Sequence, residues 1–415
     1  PTPYQNEPHH EEPQDSPHHS QIGSSRSIPS GVKVTGHISR RAIVTALATG
    51  AAVAIVGGGS LTWALLSRRL HTSPSRGSSV GPSQTPTPSL AQLTVYIASN
   101  DGYTYALNAS NGALKWKSQE GGGLGGTFAN GVLYTDGVAA LRASDGQLLW
   151  SYQTTGQIAN SSIPAVSDGY VYTSGGGDRL VHAFRASDGS SIWSYQVDSG
   201  PYSSPAVANG VVYVGTTSGR VYALRASDGS PMWWYQTGQA IESPPTLEDG
   251  ILYVGSEDHS VYALHANNGT PLWSYQTGIG PSGFGGVGGS PIVSNGTIYF
   301  TADDGYVYAL RASDGTLIWR YQMGDSSNDS VALYNGVVYS PSYDHHIYAL
   351  RASDGTLLWS YQTGNTINSS PIVVDGVLYV GSLDHYVYAL RVSDGSLLWQ
   401  YQTGGGIQSS PTIGV

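Results

Sequence analysis

One eleven-residue pattern recurs eight times between residues 106 and 399, and every copy closes on tryptophan. The copies are ALNASNGALKW, ALRASDGQLLW, AFRASDGSSIW, ALRASDGSPMW, ALHANNGTPLW, ALRASDGTLIW, ALRASDGTLLW and ALRVSDGSLLW, ending at Trp116, Trp150, Trp193, Trp233, Trp273, Trp319, Trp359 and Trp399. Successive tryptophans lie 34, 43, 40, 40, 46, 40 and 40 residues apart. So regular a period overrides any division of the 415 residues by length, because repeat units bury their faces only against one another and together make one body.

The content of one period is legible from Ser369 to Thr403. Residues 369–374 open a first strand, Asp375-Gly376 turns it, and Val377 to Gly381 form a second. Asp384-His385 turns again, Tyr386 to Val392 make a third strand with alternating residues, Asp394-Gly395 forms a hairpin turn, and Leu397 to Gln402 complete a fourth. Four strands in about 40 residues is the spacing of a β-propeller blade. The 29 Tyr, 10 Trp and 55 Gly suit aromatic strands alternating with glycine turns and argue against a helical enzyme. Residues 93–415 are therefore expected to form an all-β, eight-bladed propeller.

A ring of blades has to close, since a free sheet edge invites pairing with another chain. The first repeat begins at Leu93-Thr94-Val95-Tyr96, equivalent to a second strand, so its blade lacks a first strand. Residues 409–415, SSPTIGV, match the first-strand sequence of other copies, such as Ser203 to Ala208. The C-terminal strand is expected to complete the blade that residue 93 begins.

With Ala first, Gly seventh and Trp eleventh, the motif resembles the tryptophan-docking motif of the pyrroloquinoline-quinone-like propeller family, over the whole of residues 93–415. The resemblance implies that each Trp packs between blades, against Ala and the Gly-bearing turn of a neighbour. This chain departs from the family pattern at the third position, mostly Arg here (Arg142, Arg185, Arg225, Arg311, Arg351, Arg391) rather than Asp, and at the sixth, mostly Asp rather than Thr. The exchange predicts an Arg–Asp pair across the hairpin in those six copies. The resemblance also implies what a quinone-dependent dehydrogenase of this family would carry: adjacent cysteines beside the cofactor, carboxylates that hold calcium, and a catalytic Asp, mostly on long insertions. The sequence has no cysteine, and its blades carry little beyond their own strands. It is read as a member of the non-catalytic branch, with no enzyme activity, no cofactor and no resident metal. In architecture it is similar to the propeller lipoprotein of the outer-membrane assembly machinery, without the cysteine that would take a lipid.

Residues 1–38 are rich in Pro, His, Ser, Gln and Glu without hydrophobic periodicity and read as a disordered tail. His9-His10 and His18-His19 could bind a transition metal, although His pairs in a polar tail are ordinarily just solvated. Residues 39–69 contain Arg40-Arg41, which resembles a twin-arginine export signal, and then Ala42 to Leu66 without a charge. As a helix that segment would span about 37 Å, enough for a hydrocarbon core of about 30 Å. With no small-x-small cleavage site before the polar stretch, it is expected to be an uncleaved transmembrane anchor and signal-anchor. Residues 70–92 form a Ser/Thr/Pro linker. The propeller is placed on the extracytoplasmic side of the cell membrane. The sequence starts at Pro1, which leaves room for an upstream domain and for the alternative that the propeller is the ectodomain of a receptor such as a bacterial Ser/Thr kinase.

Past residue 92 there are 11 Lys and Arg against 24 Asp and Glu, so the surface lacks the basic footprint of a nucleic-acid binder. Gly283, Gly285 and Gly288 have dinucleotide-loop spacing but lead into a strand near Pro291 rather than a helix that could hold a pyrophosphate. No carboxylate cluster stands out from the turn residues. Asp258-His259, Asp344-His345 and Asp384-His385 recur at one turn position. They are either a polar ligand-facing rim or the residues that a tight hairpin tolerates. The chain is read as a binding scaffold for a protein, peptide or polar ligand of unknown identity.

Overall fold

The computed structural model describes residues 88–120, 125–136, 138–152, 162–175, 178–280 and 286–415. Among them the strands fall into eight four-stranded antiparallel sheets. The predicted propeller is therefore present with eight blades, here numbered 1 to 8 by the order of their tryptophans.

Blade 8 shows why the sequence folds this way. Its strands are Ile372–Val374, Val377–Gly381, Tyr386–Arg391 and Leu397–Gln402. The first turn, Asp375-Gly376, has both residues at positive φ (46° and 78°). That is the backbone of a two-residue hairpin whose twist matches the strands it joins, and it favours Asp or Asn followed by Gly. Along the second strand, Val377 and Tyr379 face blade 1, whereas Leu378 and Val380 face blade 7. Successive side chains of a strand point to opposite faces, and here both faces are covered, so residues of either parity are apolar. The core is accordingly not one mass but eight layers, each shared by two neighbouring blades. The fourth strand is outermost and alternates exposed with half-buried residues.

The first strand is shorter than the sequence suggests, starting at Ile372 rather than Ser369. Ser369 and Ser370 are used otherwise: the Ser369 hydroxyl accepts the Gly381 N–H at 3.2 Å, and the Ser370 N–H donates to the Ser410 hydroxyl of blade 1 at 3.1 Å. First strands of successive blades touch one another around the axis.

The ring closes as expected. Thr412–Gly414 joins blade 1 antiparallel to Thr94–Ala98, with Thr94 opposite Gly414, Val95 opposite Ile413 and Tyr96 opposite Thr412. The Ser409 hydroxyl adds two bonds to Ala98, accepting its N–H at 2.9 Å and donating to its carbonyl at 2.8 Å. Among the described residues no helix is long and apolar enough to cross a membrane. The predicted tail, anchor segment 42–66 and most of the linker lie outside the described residues.

Candidate binding face

The eight tryptophans are positioned first, because they fix where every other side chain sits. Each indole N–H donates to the fourth-position carbonyl of the next motif: Trp116 to Ala143, Trp150 to Ala186, Trp193 to Ala226, Trp233 to Ala266, Trp273 to Ala312, Trp319 to Ala352, Trp359 to Val392 and Trp399 to Ala109, all at 2.9 to 3.0 Å. The last of these joins blade 8 to blade 1. Each carbonyl also accepts a second bond, at 2.9 to 3.5 Å, from a tyrosine on the second strand of the donor blade, such as Tyr339 OH to Val392. The two rings lie tilted with centroids 5.7 to 6.1 Å apart, a favourable aromatic arrangement. The motif glycine is required twice over, for a φ of 71° to 73° and for space: a Cβ there would meet the neighbour's indole at 2.5 to 2.7 Å. The tyrosine partner was not anticipated from the sequence, although Tyr recurs in every second strand.

The Arg–Asp pairs also form, from Arg311–Asp314 at 2.9 Å to Arg391–Asp394 at 3.6 Å. Their side chains are about half exposed, and such pairs contribute only about 0 to 1 kcal/mol each.

The rim turns are built by a different joint. Asp258 Oδ2 accepts the Gly238 N–H of the preceding blade at 2.6 Å and the Tyr262 hydroxyl at 2.7 Å. Asp384 takes Gly364 and Tyr388 at 2.6 Å each, and Asp344 takes Gly324 at 2.8 Å and the Tyr348 hydroxyl. Asp101 and Asp304 repeat the arrangement with Gly404 and Gly278. These carboxylates thus clasp the exit loop of the previous blade. Burial, then the bond to Asp101, pushes the Tyr105 phenol up to about 12.

The histidines beside them occupy a left-handed position, with φ of 67° at His259 and 76° at His345 and His385. Blades 1, 4 and 6 have Gly102, Gly219 and Gly305 there, each at 83°. The His carbonyls accept the N–H of Thr277, Thr363 and Thr403 at 2.8 Å, so the backbone bond is the same whatever the side chain. The backbone bond of each histidine stays in its own blade, and among the described residues no group of three potential ligands is placed to hold a metal. An L-residue held left-handed costs roughly 1–2 kcal/mol. His385→Gly is therefore expected to raise stability by about 1 kcal/mol in urea denaturation. A loss of stability would show that the imidazole makes a bond its backbone does not.

The residue before each of the five rim aspartates, and before Ser218 in blade 4, shares one slot in six blades. The N–H of Asn100, Thr217, Glu257, Asp303, Tyr343 and Leu383 each donates to the loop entering its own blade, at 2.8 to 3.0 Å. In blades 5 and 6 the slot holds carboxylates. A third carboxylate, Asp329, stands in blade 7 where other blades have Ser162, Ser203, Ser243, Ser369 or Ser409. Those serine hydroxyls accept a second-strand N–H. Asp329 Oδ2 instead is shut off from solvent with no hydrogen-bond partner, as are Asn328 Oδ1 and His259 Nδ1 nearby. Burial, then the neighbouring Glu242 and Asp303 charges, pushes Glu257 up to about 7. Burial pushes Asp329 up to about 7 and Asp303 upward, the latter opposed by a bond from the Asn328 side chain. The cluster is a correction to the sequence reading, in which no carboxylates stood apart. Its members come from three blades and from columns that elsewhere hold Ser, Gly, Thr, Asn, Tyr or Leu; only comparison of the copies column by column would have exposed them.

A family model described as outer membrane protein assembly factor BamB matches residues 41–205, 179–333 and 303–413. The chain belongs to this pyrroloquinoline-quinone-like repeat family. Solved relatives of the family share its fold. BamB from Moraxella catarrhalis is 19% identical with a TM-score of 0.59, covering 69% of this chain and 87% of that one. A europium-containing methanol dehydrogenase is 15% identical (TM-score 0.60; 69% and 79% covered), and a quinohemoprotein alcohol dehydrogenase from Pseudomonas putida HK5 is 16% identical (TM-score 0.58; 77% and 70%). No curated protein matches the chain.

The family's quinone does not fit this face. Pyrroloquinoline quinone is a tricarboxylate, and among the described residues this face sets against it the carboxylates Glu257, Asp303 and Asp329, whose own charges are disfavoured by burial. The rim aspartates that could coordinate a bridging cation already clasp backbone N–H groups.

Proposed function

We propose that this chain is a non-catalytic scaffold, anchored in the cell membrane by residues 42–66 and presenting its propeller to a protein or peptide on the extracytoplasmic side. The observation that carries the reading is how completely the described chain goes into blades and joints: the repeated turn carboxylates are occupied by inter-blade bonds, and the strands are linked mostly by short turns. The family match, to a model described as an assembly factor, supports the same reading. The exposed and half-buried polar part of the loops that enter each blade, such as residues 364–366, is the surface left for a partner.

A photo-crosslinking amino acid at Thr366, on the entry loop, is expected to trap one protein species in intact cells, and the same probe at Ser360 on the outer strand to trap none. Equal labelling at both sites, or quinone- and calcium-dependent oxidation of an alcohol by the purified full chain, would overturn the scaffold reading. Because the chain has no cysteine, Ser78→Cys supplies a unique thiol in the linker. It is expected to react with a membrane-impermeant maleimide in intact cells; protection until lysis would put the propeller inside.

A further inference from the structure

We propose that the axial junction of blades 5 to 8 is a proton-sensitive joint, which tightens when Glu257, Asp303 and Asp329 take up protons and loosens when they ionise. Each of the three carboxylates is at least partly buried with little to balance its charge, and Asp329 Oδ2 is shut off from solvent without a hydrogen-bond partner. Glu257 faces Glu242, Asp303 and Asp258, with one N–H, that of Gly286, in its favour. Asp303 faces Asp304 and Asp325, against the Asn328 side chain and His259. Asp329 receives a single N–H from Ser369 of blade 8, while the Tyr343 phenol beside it is pushed upward by burial and by the charges of Asp329, Asp303 and Asp325. His259 is the one ionisable base among these groups.

Geometry makes this strain an inter-blade matter. The Asp329 carbonyl accepts the Thr301 hydroxyl of blade 6 at 2.6 Å, and its carboxylate meets blade 8, so one residue ties three blades. In the repeat this slot belongs to serine, whose neutral hydroxyl satisfies a strand N–H without bringing a charge. Asp329 therefore holds a proton-dependent charge at a point where the other copies are indifferent to pH.

The sign follows from linkage. A carboxyl group whose folded-state value is raised above its unfolded value contributes stability that is fully present below the ordinary carboxylate range and is lost as pH rises toward about 7. The hairpin aspartates are shifted the other way, Asp314 down to about 2, and act only in stronger acid; histidines titrate between pH 5.5 and 8 as well, so the joint is read from the difference between the wild type and variants at Asp329.

The test is thermal unfolding of the full chain across that window. The melting temperature is expected to fall by about 3 °C from pH 5.5 to 8, the scale set by two partly screened groups in a domain of this size. Asp329→Ser, the repeat's own residue, should flatten the slope and unfold at the higher temperature at pH 8. Asp329→Asn, which removes the charge and keeps the shape, should do the same if the serine variant folds poorly. Hydrogen exchange, corrected for intrinsic rate, should speed up at pH 8 across residues 326–330 in the wild type alone. A slope that is absent in the wild type, or unchanged in both variants, would overturn the joint.

Discussion

Deletion of Ser409 to Val415 is expected to cost the propeller about 4 to 6 kcal/mol and to make it associate with further copies of itself beyond whatever state the intact chain adopts. The segment supplies the three ladder positions of Thr412–Gly414 and the two Ser409 bonds to Ala98, each net hydrogen bond contributing roughly 0.5 to 1.5 kcal/mol. It also covers the inner edge of Thr94–Ala98, a strand of buried apolar residues, and an uncovered edge of that kind pairs with another chain. Size-exclusion chromatography and urea denaturation of the truncated chain would check both halves. An unchanged state of association with wild-type stability would mean that the seam is not what closes the ring.

Trp359→Ala is expected to destabilise by about 3 to 5 kcal/mol, the usual cost of truncating a large ring at a packed contact. The loss has two parts. The indole lies against Gly395, whose missing Cβ makes the room for it, and its N–H bond to Val392 leaves that carbonyl with only the 3.5 Å bond from Tyr339. Trp359→Phe separates them: it keeps much of the ring and removes the donor, so about 1 kcal/mol should be lost. A cost below about 1 kcal/mol for the alanine variant would show that the ring is not inter-blade packing.

The sequence carried the architecture because the architecture is repetitive. Asp375-Gly376 and Asp394-Gly395 announce their turns by chemistry alone, and the tail sequence from Ser409 repeats a strand that the first blade visibly lacks. Patterns within a copy were enough for these. The inter-blade clasps were not legible, because Asp258 and Gly238 belong to different copies, and nothing local says that one carboxylate serves its neighbour's exit loop. The axial carboxylates were hidden for a related reason. Glu257, Asp303 and Asp329 are ordinary acids in three separate stretches, and their protonated forms are favoured only once the fold buries them. Expected strand lengths erred in the same direction: Ser369 and Ser370 read as strand, yet they serve the second strand and the next blade.

Blade 8 meets blade 1 through the same indole and phenol donors, at the Ala109 carbonyl, that hold every other pair of blades together. Inside blade 1, Thr94 and Gly414 are direct neighbours across the seam. The gap in the chain thus stands where the other blades have the short turn between their first and second strands. A circular permutant that fuses the two ends and opens the chain within a loop between two other blades should recover the same wheel.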